Sequence, residues 1–428
     1  MTIGPDGHLW FGGCNLVTLA EEFGTPLYLI NENTIRRNCD RYKQAAAEYP
    51  HDFSIAYASK AFLCQAICRI IASMGLNLDV VSLGELYTAL SSDFPAERII
   101  FHGVNRSREE LRIAIQRGVG RIVVDNFFEI EKLVALAAEM QREVNLLIRV
   151  ASGVQANTHE YVQTSITNSK FGFNIADLPQ VFALCHTQPL LKVRGFHSHT
   201  GSQILTLQPF IENLQVMLKL LATWQERIPE LSELNVGGGL GSYYTNGDPE
   251  LSIEEYMAEI IRTAKDTARE LGIALPRLTV EPGRSIINEA GLTLYRVGGT
   301  KVIAGMRKYV FVDGSMADNI RPALYGSNYE AALANRALEP ATETVSIAGR
   351  CCESGDMLVW ETKLPAAAPD DLLVVGRTGA YTYSMASNYN RLPRPAVVLI
   401  TSSKAELIVR GESWTDLTRF DLIPEHLR

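Results

Sequence analysis

Residues 53–60, Phe-Ser-Ile-Ala-Tyr-Ala-Ser-Lys, decide the fold that we expect for this chain. The run from Phe53 to Ser59 is short and largely apolar, as in a strand buried on both faces, and an apolar helix-like segment, Phe62–Met74, follows it. Lys60 stands at the junction, which in a (β/α)₈ barrel lies at the catalytic mouth. There a desolvated amine can attack a carbonyl and form a Schiff base. From this stretch alone, a solvated surface lysine is the plainer interpretation.

Seven more β-like runs follow, with helix-like segments between them. They are Leu78–Ser82, Arg98–His102, Arg121–Asp125, Val144–Val150, Leu191–His199, Leu231–Gly237 and Arg277–Glu281. Eight short apolar strands alternating with helices are typical of a closed parallel barrel. An open doubly wound sheet shows the same alternation. The number of strands and the residues at their ends favour the barrel.

The pattern changes after about Ser285, where short β-like runs are separated by Gly, Pro and Asp turns and only Tyr329–Ala337 looks helical. We therefore predict an α/β chain: a (β/α)₈ TIM-type barrel plus a C-terminal mostly-β domain that also takes up the N-terminal segment. The predicted boundaries are residues 1–30 for that segment, 31–285 for the barrel and 286–428 for the β domain.

Composition excludes several classes of function. The net charge of −8 and the lack of a basic run argue against nucleic-acid binding. No apolar run is long enough to cross a membrane, and the N-terminus lacks the features of a signal peptide. Seven cysteines without zinc-finger spacing predict reduced thiols and no metal site. We expect a cytoplasmic protein.

Two glycine-containing turns follow the last two predicted barrel strands. Gly237-Gly-Gly-Leu-Gly241 comes after the seventh strand, and Glu281-Pro-Gly-Arg284 comes after the eighth. Barrels build phosphate sites from these two loops, because glycines let backbone amides approach an anion closely. The position of the two turns predicts a phosphate site at the same mouth as Lys60.

A reactive lysine beside a phosphate site points to pyridoxal phosphate, whose aldehyde forms a Schiff base and whose ring is an electron sink. Glu281 would keep the pyridine nitrogen protonated, although an ion pair with Arg284 is the alternative. His199 would pack on the ring face, or it is simply a buried histidine with its hydrogen bonds satisfied.

The motifs that carry a wider resemblance lie in order along nearly the whole chain. They are YASKAF (57–62), LDVVSLGEL (78–86), HEYVQTSITNSKFGF (159–173), GFHSHTGSQI (195–204), NVGGGLG (235–241), VEPGRS (280–285), VDGSMADNIRPALYG (312–326), GRCCESGD (349–356) and GAYTYSMASNYN (379–390). The chain resembles the fold-type III pyridoxal-phosphate-dependent decarboxylases, whose barrel is like that of alanine racemase. Within them it resembles the diaminopimelate decarboxylase family.

The resemblance implies roles for individual residues. The implied catalytic residues are Lys60, His199 and Cys352. The implied cofactor-binding residues are Lys60, His199, Ser202, Gly238, Gly239, Glu281, Gly283, Arg284 and Tyr381. The implied substrate-binding residues are Arg284, Arg321, Tyr325, Glu353 and Tyr381. Asp79 and Glu85 match a motif near the lysine without a clear role.

Cys352 and Glu353 match a loop that the family donates across a homodimer interface. A carbanion left by decarboxylation could then take a proton from Cys352, while the neighbouring Cys351 is expected to be structural. Two positions depart from the family's common pattern, Phe62 and Thr200, and they could retune the pocket. A loop at Glu160–Lys170 is a candidate lid.

The implied function is pyridoxal-phosphate-dependent decarboxylation of meso-2,6-diaminopimelate to L-lysine and CO₂, the last step of lysine biosynthesis. A sister decarboxylase, acting on another amino acid or on a carrier-bound amino acid, is the first alternative. An amino-acid racemase is the second, although Glu281 stands where racemases commonly have an arginine. A non-catalytic relative would have lost the reactive lysine, the proton-donating acid or the substrate-binding residues, which are all present here.

Overall fold

The computed structural model describes residues 1–154 and 169–428, in which strands and helices alternate much as the sequence predicts. The strands are β1 (Thr2–Ile3), β2 (Leu9–Phe11), β3 (Cys14–Asn15), β4 (Leu27–Asn31), β5 (Phe53–Ala58), β6 (Asn77–Val80), β7 (Ile99–Phe101), β8 (Arg121–Val124), β9 (Val144–Arg149), β10 (Leu191–His197), β11 (Glu233–Asn235), β12 (Arg277–Val280), β13 (Gly291–Ile303), β14 (Arg307–Val312), β15 (Ala331–Leu333), β16 (Glu343–Ala348), β17 (Met357–Leu364), β18 (Leu372–Gly376), β19 (Ala396–Thr401) and β20 (Lys404–Val409). The α-helices are α1 (Leu16–Phe23), α2 (Glu32–Ala46), α3 (Gln65–Ser73), α4 (Leu83–Ser91), α5 (Arg108–Arg117), α6 (Phe127–Met140), α7 (Leu178–His186), α8 (Gln208–Gln225), α9 (Ile253–Leu271), α10 (Arg284–Ile287), α11 (Arg321–Tyr325) and α12 (Trp414–Thr418). The candidate lid Glu160–Lys170 lies outside the described residues except for its last two positions.

Strands β5 to β12 form a closed parallel barrel. Each pairs with the next along the chain, and β12 pairs back with β5. Helices α3 to α9 connect successive strands, so the predicted (β/α)₈ architecture is confirmed. The barrel unit comprises residues 36–242 and 249–286. Ala56, Ile100, Val123 and Leu147, one each from β5, β7, β8 and β9, form a buried apolar cluster in this unit.

Helix α9 shows why the connecting segments are helical. It begins with a capping box in which Ser252 and Glu255 satisfy each other's backbone N–H groups. It ends at Gly272, which has a left-handed φ of 66° that suits glycine. Between them, buried residues such as Tyr256 and Ile260 recur at helical spacing, and the Tyr256 ring packs against that of Phe210 on α8.

The second unit, comprising residues 1–35, 243–248 and 287–428, is built on a mixed β-sheet. Along the sheet the order is β17-β16-β14-β13-β4-β19-β20, with β18 on β13 and β15 on β18. Strand β4 pairs antiparallel with β13 and parallel with β19, so the N-terminal segment belongs to this sheet, as the fold prediction states. The residue numbers given above for the domain boundaries stay predictions.

The predicted helix at Tyr329–Ala337 is wrong. Residues Ala331–Leu333 form β15, which pairs antiparallel with β18. Alanine and leucine favour a helix in isolation, but Leu333 is almost fully buried in the core of the β unit. Burial and sheet pairing therefore override local propensity.

Among the described residues, no helix combines the length and the apolar character needed to cross a membrane.

Candidate active site

Lys60 lies in a single 3₁₀ turn, Ser59–Ala61, directly after β5. Its Nζ donates a hydrogen bond to Asp79 Oδ2 at 2.8 Å. Asp79 is fully buried near the end of β6, whereas 38% of the lysine side chain is exposed. The carboxylate therefore holds an amine whose tip remains reachable from the barrel mouth.

Glu85 also belongs to the motif near the lysine. Its carboxylate accepts the backbone N–H of Val81 at 2.6 Å in the first turn of α4. Burial raises the pKa of Glu85, although that hydrogen bond opposes the change. The carboxylate caps the start of α4 and also interacts with Ser59, the residue before Lys60.

Glu281 follows β12 and is buried among three N–H donors. Asn235 Nδ2 lies 2.6 Å from Oε1, and His102 Nε2 lies 2.7 Å from the same oxygen. His197 Nε2 lies 3.3 Å from Oε2. Burial alone would raise the pKa of Glu281, but the two histidines outweigh it and hold that pKa well below its ordinary value. Glu281 is thus a fixed anion in the barrel.

The two histidines beside Glu281 pack edge to face, with ring centroids 4.8 Å apart. Burial lowers the pKa of His197 to about 4, so its imidazole is neutral at physiological pH. The negative charge of this cluster resides on Glu281.

The loop after β11 has no room for side chains at three consecutive positions. A Cβ on Gly237 would lie 2.6 Å from the Ser198 carbonyl oxygen, and one on Gly238 would lie 2.1 Å from that of Glu281. Gly239 has a φ of 121°, and its Cβ would meet the Gly201 carbonyl at 2.6 Å. This backbone cradle carries the features that the sequence predicts for a phosphate loop.

Gly283, in the turn after β12, is closely packed against the end of β5. A Cβ there would lie 3.0 Å from the Cβ of Ala58 and 3.2 Å from its carbonyl oxygen. The backbone N–H of Ala58 donates to Pro282 O at 3.1 Å. The turn that follows β12 is therefore fixed against the end of β5, next to Lys60.

His199 lies just beyond β10 and is partly buried. Its Nδ1 accepts the backbone N–H of Gly238 at 3.2 Å, which leaves the ring oriented by the glycine loop. Burial and the positive charges of Lys60 and Arg149 lower the pKa of His199 well below its ordinary value. A neutral ring of fixed orientation suits a stacking role.

Ser202 and Arg284 are brought together by the loop after β10 and the start of α10. Arg284 is buried, and its Nη2 donates to Ser202 Oγ at 3.0 Å. Among the described residues, no ion pair joins Arg284 to Glu281, which was the alternative interpretation of that glutamate. The carboxylate is held by histidines and an asparagine instead.

The β unit holds Arg321, Tyr325 and Tyr381. The buried guanidinium of Arg321 lies 5.0 Å from the ring centre of Tyr325 and 5.9 Å from that of Tyr381. The ring of Tyr244 lies 5.7 Å away. Tyr381 has a left-handed φ of 59°, which is uncommon for a residue with a side chain. A guanidinium among tyrosine rings can hold a carboxylate.

Cys352 and Glu353 lie in an exposed turn between β16 and β17. The backbone N–H of Cys352 donates to Asn390 Oδ1 at 2.7 Å, and that of Cys351 donates to Asp356 Oδ2 at 2.6 Å. Burial raises the pKa of Asp356, which the same backbone bond opposes. The turn is fixed through its backbone while the Cys352 and Glu353 side chains face outward.

Three barrel residues near the site received no role from the sequence. His102 and Asn235 contact Glu281, and Arg149 lies 3.6 Å from Asp125 with its guanidinium 4.3 Å from the ring centre of Phe171. Each lies at or just past the end of a barrel strand. The rule that drew attention to Lys60 could therefore have found them.

The residues of the barrel unit fit pyridoxal phosphate. The glycine cradle, which any Cβ would fill, suits the phosphate of that cofactor. The amine of Lys60 suits its aldehyde, and the buried anion of Glu281 suits its ring nitrogen. The neutral imidazole of His199 suits stacking on the face of the cofactor ring.

Comparison with known proteins decides the family. Residues 32–288 match the family described as "Pyridoxal-dependent decarboxylase, pyridoxal binding domain". The diaminopimelate decarboxylase of Bacillus subtilis (strain 168) is 47% identical, covering 97% of this chain and 95% of its own length. The chain belongs to the diaminopimelate decarboxylase family. It is an enzyme, a pyridoxal-phosphate-dependent decarboxylase.

Other relatives support membership of the same family. The diaminopimelate decarboxylase of Synechocystis sp. is 45% identical over 99% of this chain and 92% of its own. The crystal structure of the M. jannaschii enzyme in complex with L-lysine superposes with a TM-score of 0.92 at 32% identity, covering 99% of this chain and 98% of that one.

Proposed function

We propose that this chain removes the carboxyl group at the D centre of meso-2,6-diaminopimelate and releases L-lysine and CO₂, the last step of lysine biosynthesis. The names of its relatives and the L-lysine bound to the M. jannaschii structure support that substrate and product. The observation that carries the proposal is the placement of Lys60 and Glu281 just past the carboxyl ends of β5 and β12, which are paired strands.

When bound, pyridoxal phosphate supplies an electron sink for the electron pair that remains as CO₂ departs. Lys60 would provide the amine that holds its aldehyde, with Asp79 orienting that amine. Glu281 would keep a proton on the ring nitrogen, and His199 would cover the ring face. Ser202, Gly238, Gly239, Gly283 and Arg284 would hold the phosphate end, a role that the family resemblance also gives to Tyr381.

The substrate differs from simpler amino acids by a second amino-acid group far from the bond that breaks. The family resemblance gives the distal carboxylate to Arg321 and Arg284, and a guanidinium pairs with a carboxylate through two parallel hydrogen bonds. Tyr325 and Tyr381 add hydroxyl donors, and Glu353 accepts from the distal amine. This set selects diaminopimelate over lysine or ornithine, which carry no distal carboxylate.

Cys352 holds the proton that replaces CO₂ at the reacting carbon. We place this thiol, with Glu353, in the site of a second copy, so that the working unit is a homodimer with shared sites. The outward-facing side chains of both residues on the fixed turn support this placement. We also place the enzyme in the cytoplasm, in keeping with its seven free cysteines.

A CO₂-release assay across meso-, LL- and DD-diaminopimelate, lysine, ornithine and arginine tests the proposal. We expect release from the meso isomer, with L-lysine formed in equal amount. The LL isomer, which has no D centre, should give none. Release from ornithine or lysine without release from meso-diaminopimelate would refute the proposed substrate.

A further inference from the structure

His102 is a buried histidine that none of the proposed roles uses. It follows β7 directly, and its Nε2 lies 2.7 Å from Glu281 Oε1 and 3.7 Å from Asp79 Oδ1. One ring nitrogen therefore faces both buried carboxylates of the barrel site. One of these pairs with Lys60, and the other is the anion proposed for the ring nitrogen.

The contacts define where the proton on His102 lies. An ionised carboxylate can only accept hydrogen bonds, so Nε2 must carry a hydrogen toward Glu281. Within the described residues, Asp79 Oδ1 has no hydrogen-bond partner, and the imidazole Nε2 lies 3.7 Å from it. Each of these buried carboxylates has an oxygen within 3.7 Å of Nε2, so without His102 two like charges would remain near each other, and each would favour protonation of the other.

We propose that His102 is a positioning residue that keeps Glu281 ionised and aimed, and thereby keeps the ring nitrogen of the cofactor protonated. The inference rests on the proposed role of Glu281. Asn235 shares Oε1 with His102 but is uncharged, and His197 approaches the other oxygen at 3.3 Å. Loss of His102 therefore removes the shorter of the two histidine contacts to Glu281. It also removes the ring nitrogen that lies close to both Glu281 and Asp79.

A merely structural role is the competing explanation, because the His102 ring also packs against that of His197. Two substitutions separate the explanations. His102→Phe keeps an aromatic ring but has no N–H donor. His102→Gln loses the ring but carries an amide nitrogen near the position of Nε2. A packing role predicts that phenylalanine is the better replacement, and a donor role predicts that glutamine is.

The test uses holoenzyme reconstituted with pyridoxal phosphate labelled with ¹⁵N in the ring, whose nitrogen resonance reports protonation directly. We expect His102→Phe to move the resonance toward the unprotonated position, and His102→Gln to leave it near that of the wild type. His186→Phe, at an exposed histidine on α7, is the control and should have no effect. Turnover should fall about tenfold or more in His102→Phe, with KM changed far less.

Glu281→Gln separates this inference from the proposed function. If Glu281→Gln does not move the resonance, Glu281 does not serve the ring nitrogen and the proposed role of that residue fails. If Glu281→Gln moves it but His102→Phe does not, only the inference about His102 is overturned. Should the phenylalanine variant not fold, His102→Asn replaces it, since that amide is too short to reach Glu281, and an unmoved resonance there equally overturns the inference.

Discussion

Lys60 Nζ donates to Asp79 Oδ2 over 2.8 Å, between a side chain that is 38% exposed and one that is fully buried. The buried partner is immobilised by β6, so the pair orients the amine at little cost in side-chain entropy. It also places a negative charge beside the lysine, which compensates for the hydration that the amine loses in the barrel.

Replacement of Lys60 by alanine should abolish both activity and the visible absorption band of the bound cofactor, because no other amine of the described barrel residues is paired with a buried acid at this mouth. The measurement is an absorption spectrum of purified protein together with CO₂ release. Lys219→Ala, at an exposed lysine on α8, should retain both. An unchanged band in Lys60→Ala would exclude Lys60 as the anchor.

Gly238→Ala should weaken cofactor binding, because the new Cβ would lie 2.1 Å from the Glu281 carbonyl oxygen and the backbone would have to shift to relieve the clash. We expect at least a tenfold weaker affinity for pyridoxal phosphate, about 1.4 kcal/mol or more, measured by fluorescence titration of the apoenzyme. The control is Gly84→Ala in α4, where the nearest atom lies 3.7 Å from the added carbon and helix propensity improves. Equal affinity in both variants would contradict the steric argument.

Asp318 in the β unit should make stability depend on pH. Burial raises the pKa of Asp318 to about 7, and its hydrogen bonds from Tyr295 and Ser315 only partly oppose this. Between about pH 4 and 7 the folded state therefore keeps a proton that the unfolded state has lost, so this group's contribution to stability falls as pH rises and levels off above pH 7. At about 1.4 kcal/mol per pKa unit, the effect is at most about 4 kcal/mol.

Asp318→Asn imitates the protonated acid and should remove that pH dependence. Urea unfolding at pH 5 and pH 8 should show the variant gaining on the wild type at the higher pH. Asp421→Asn, which alters an exposed pair with Arg391, is the control and should track the wild type at both. A constant difference between Asp318→Asn and wild type would contradict the raised pKa.

Much of the barrel and its mouth could be predicted because both depend on local signals. Apolar runs mark buried strands, and in a barrel the residues after them converge, so Lys60, His199 and Glu281 could be grouped without knowing any distance. Local propensity failed at Ala331–Leu333, where pairing with β18 decides the conformation. That pairing joins segments about forty residues apart, and no periodicity encodes it.

The partners within the site were harder to predict. His102 and Glu281 are 179 residues apart, and neither sequence neighbourhood signals the other. The bond from the Cys352 backbone to Asn390 similarly joins two loops whose own sequences indicate only turns. Such pairs depend on the register of side chains at strand ends, which follows from tertiary packing.

A mixture of two inactive variants should test whether active sites are shared. Chains with Lys60→Ala and chains with Cys352→Ala, refolded together, should form heterodimers in which one of the two sites has both residues intact. Random pairing makes half of the dimers mixed, so we expect about one quarter of wild-type activity. Differently tagged chains allow the mixed dimers to be isolated by tandem purification before CO₂ release is measured. A purified mixed dimer has one intact site of two, so its expected activity is about one half of that of the wild-type dimer.

The matched control mixes Lys60→Ala with Glu281→Gln. Both residues lie in the barrel of a single chain, after the paired strands β5 and β12, so each barrel of the mixed dimer carries one defect and no activity should return. Recovery in the first mixture but not in the second places Cys352 in the partner's site. Absence of recovery in purified mixed dimers of Lys60→Ala and Cys352→Ala would show that each chain uses its own thiol, and the shared site would have to be abandoned.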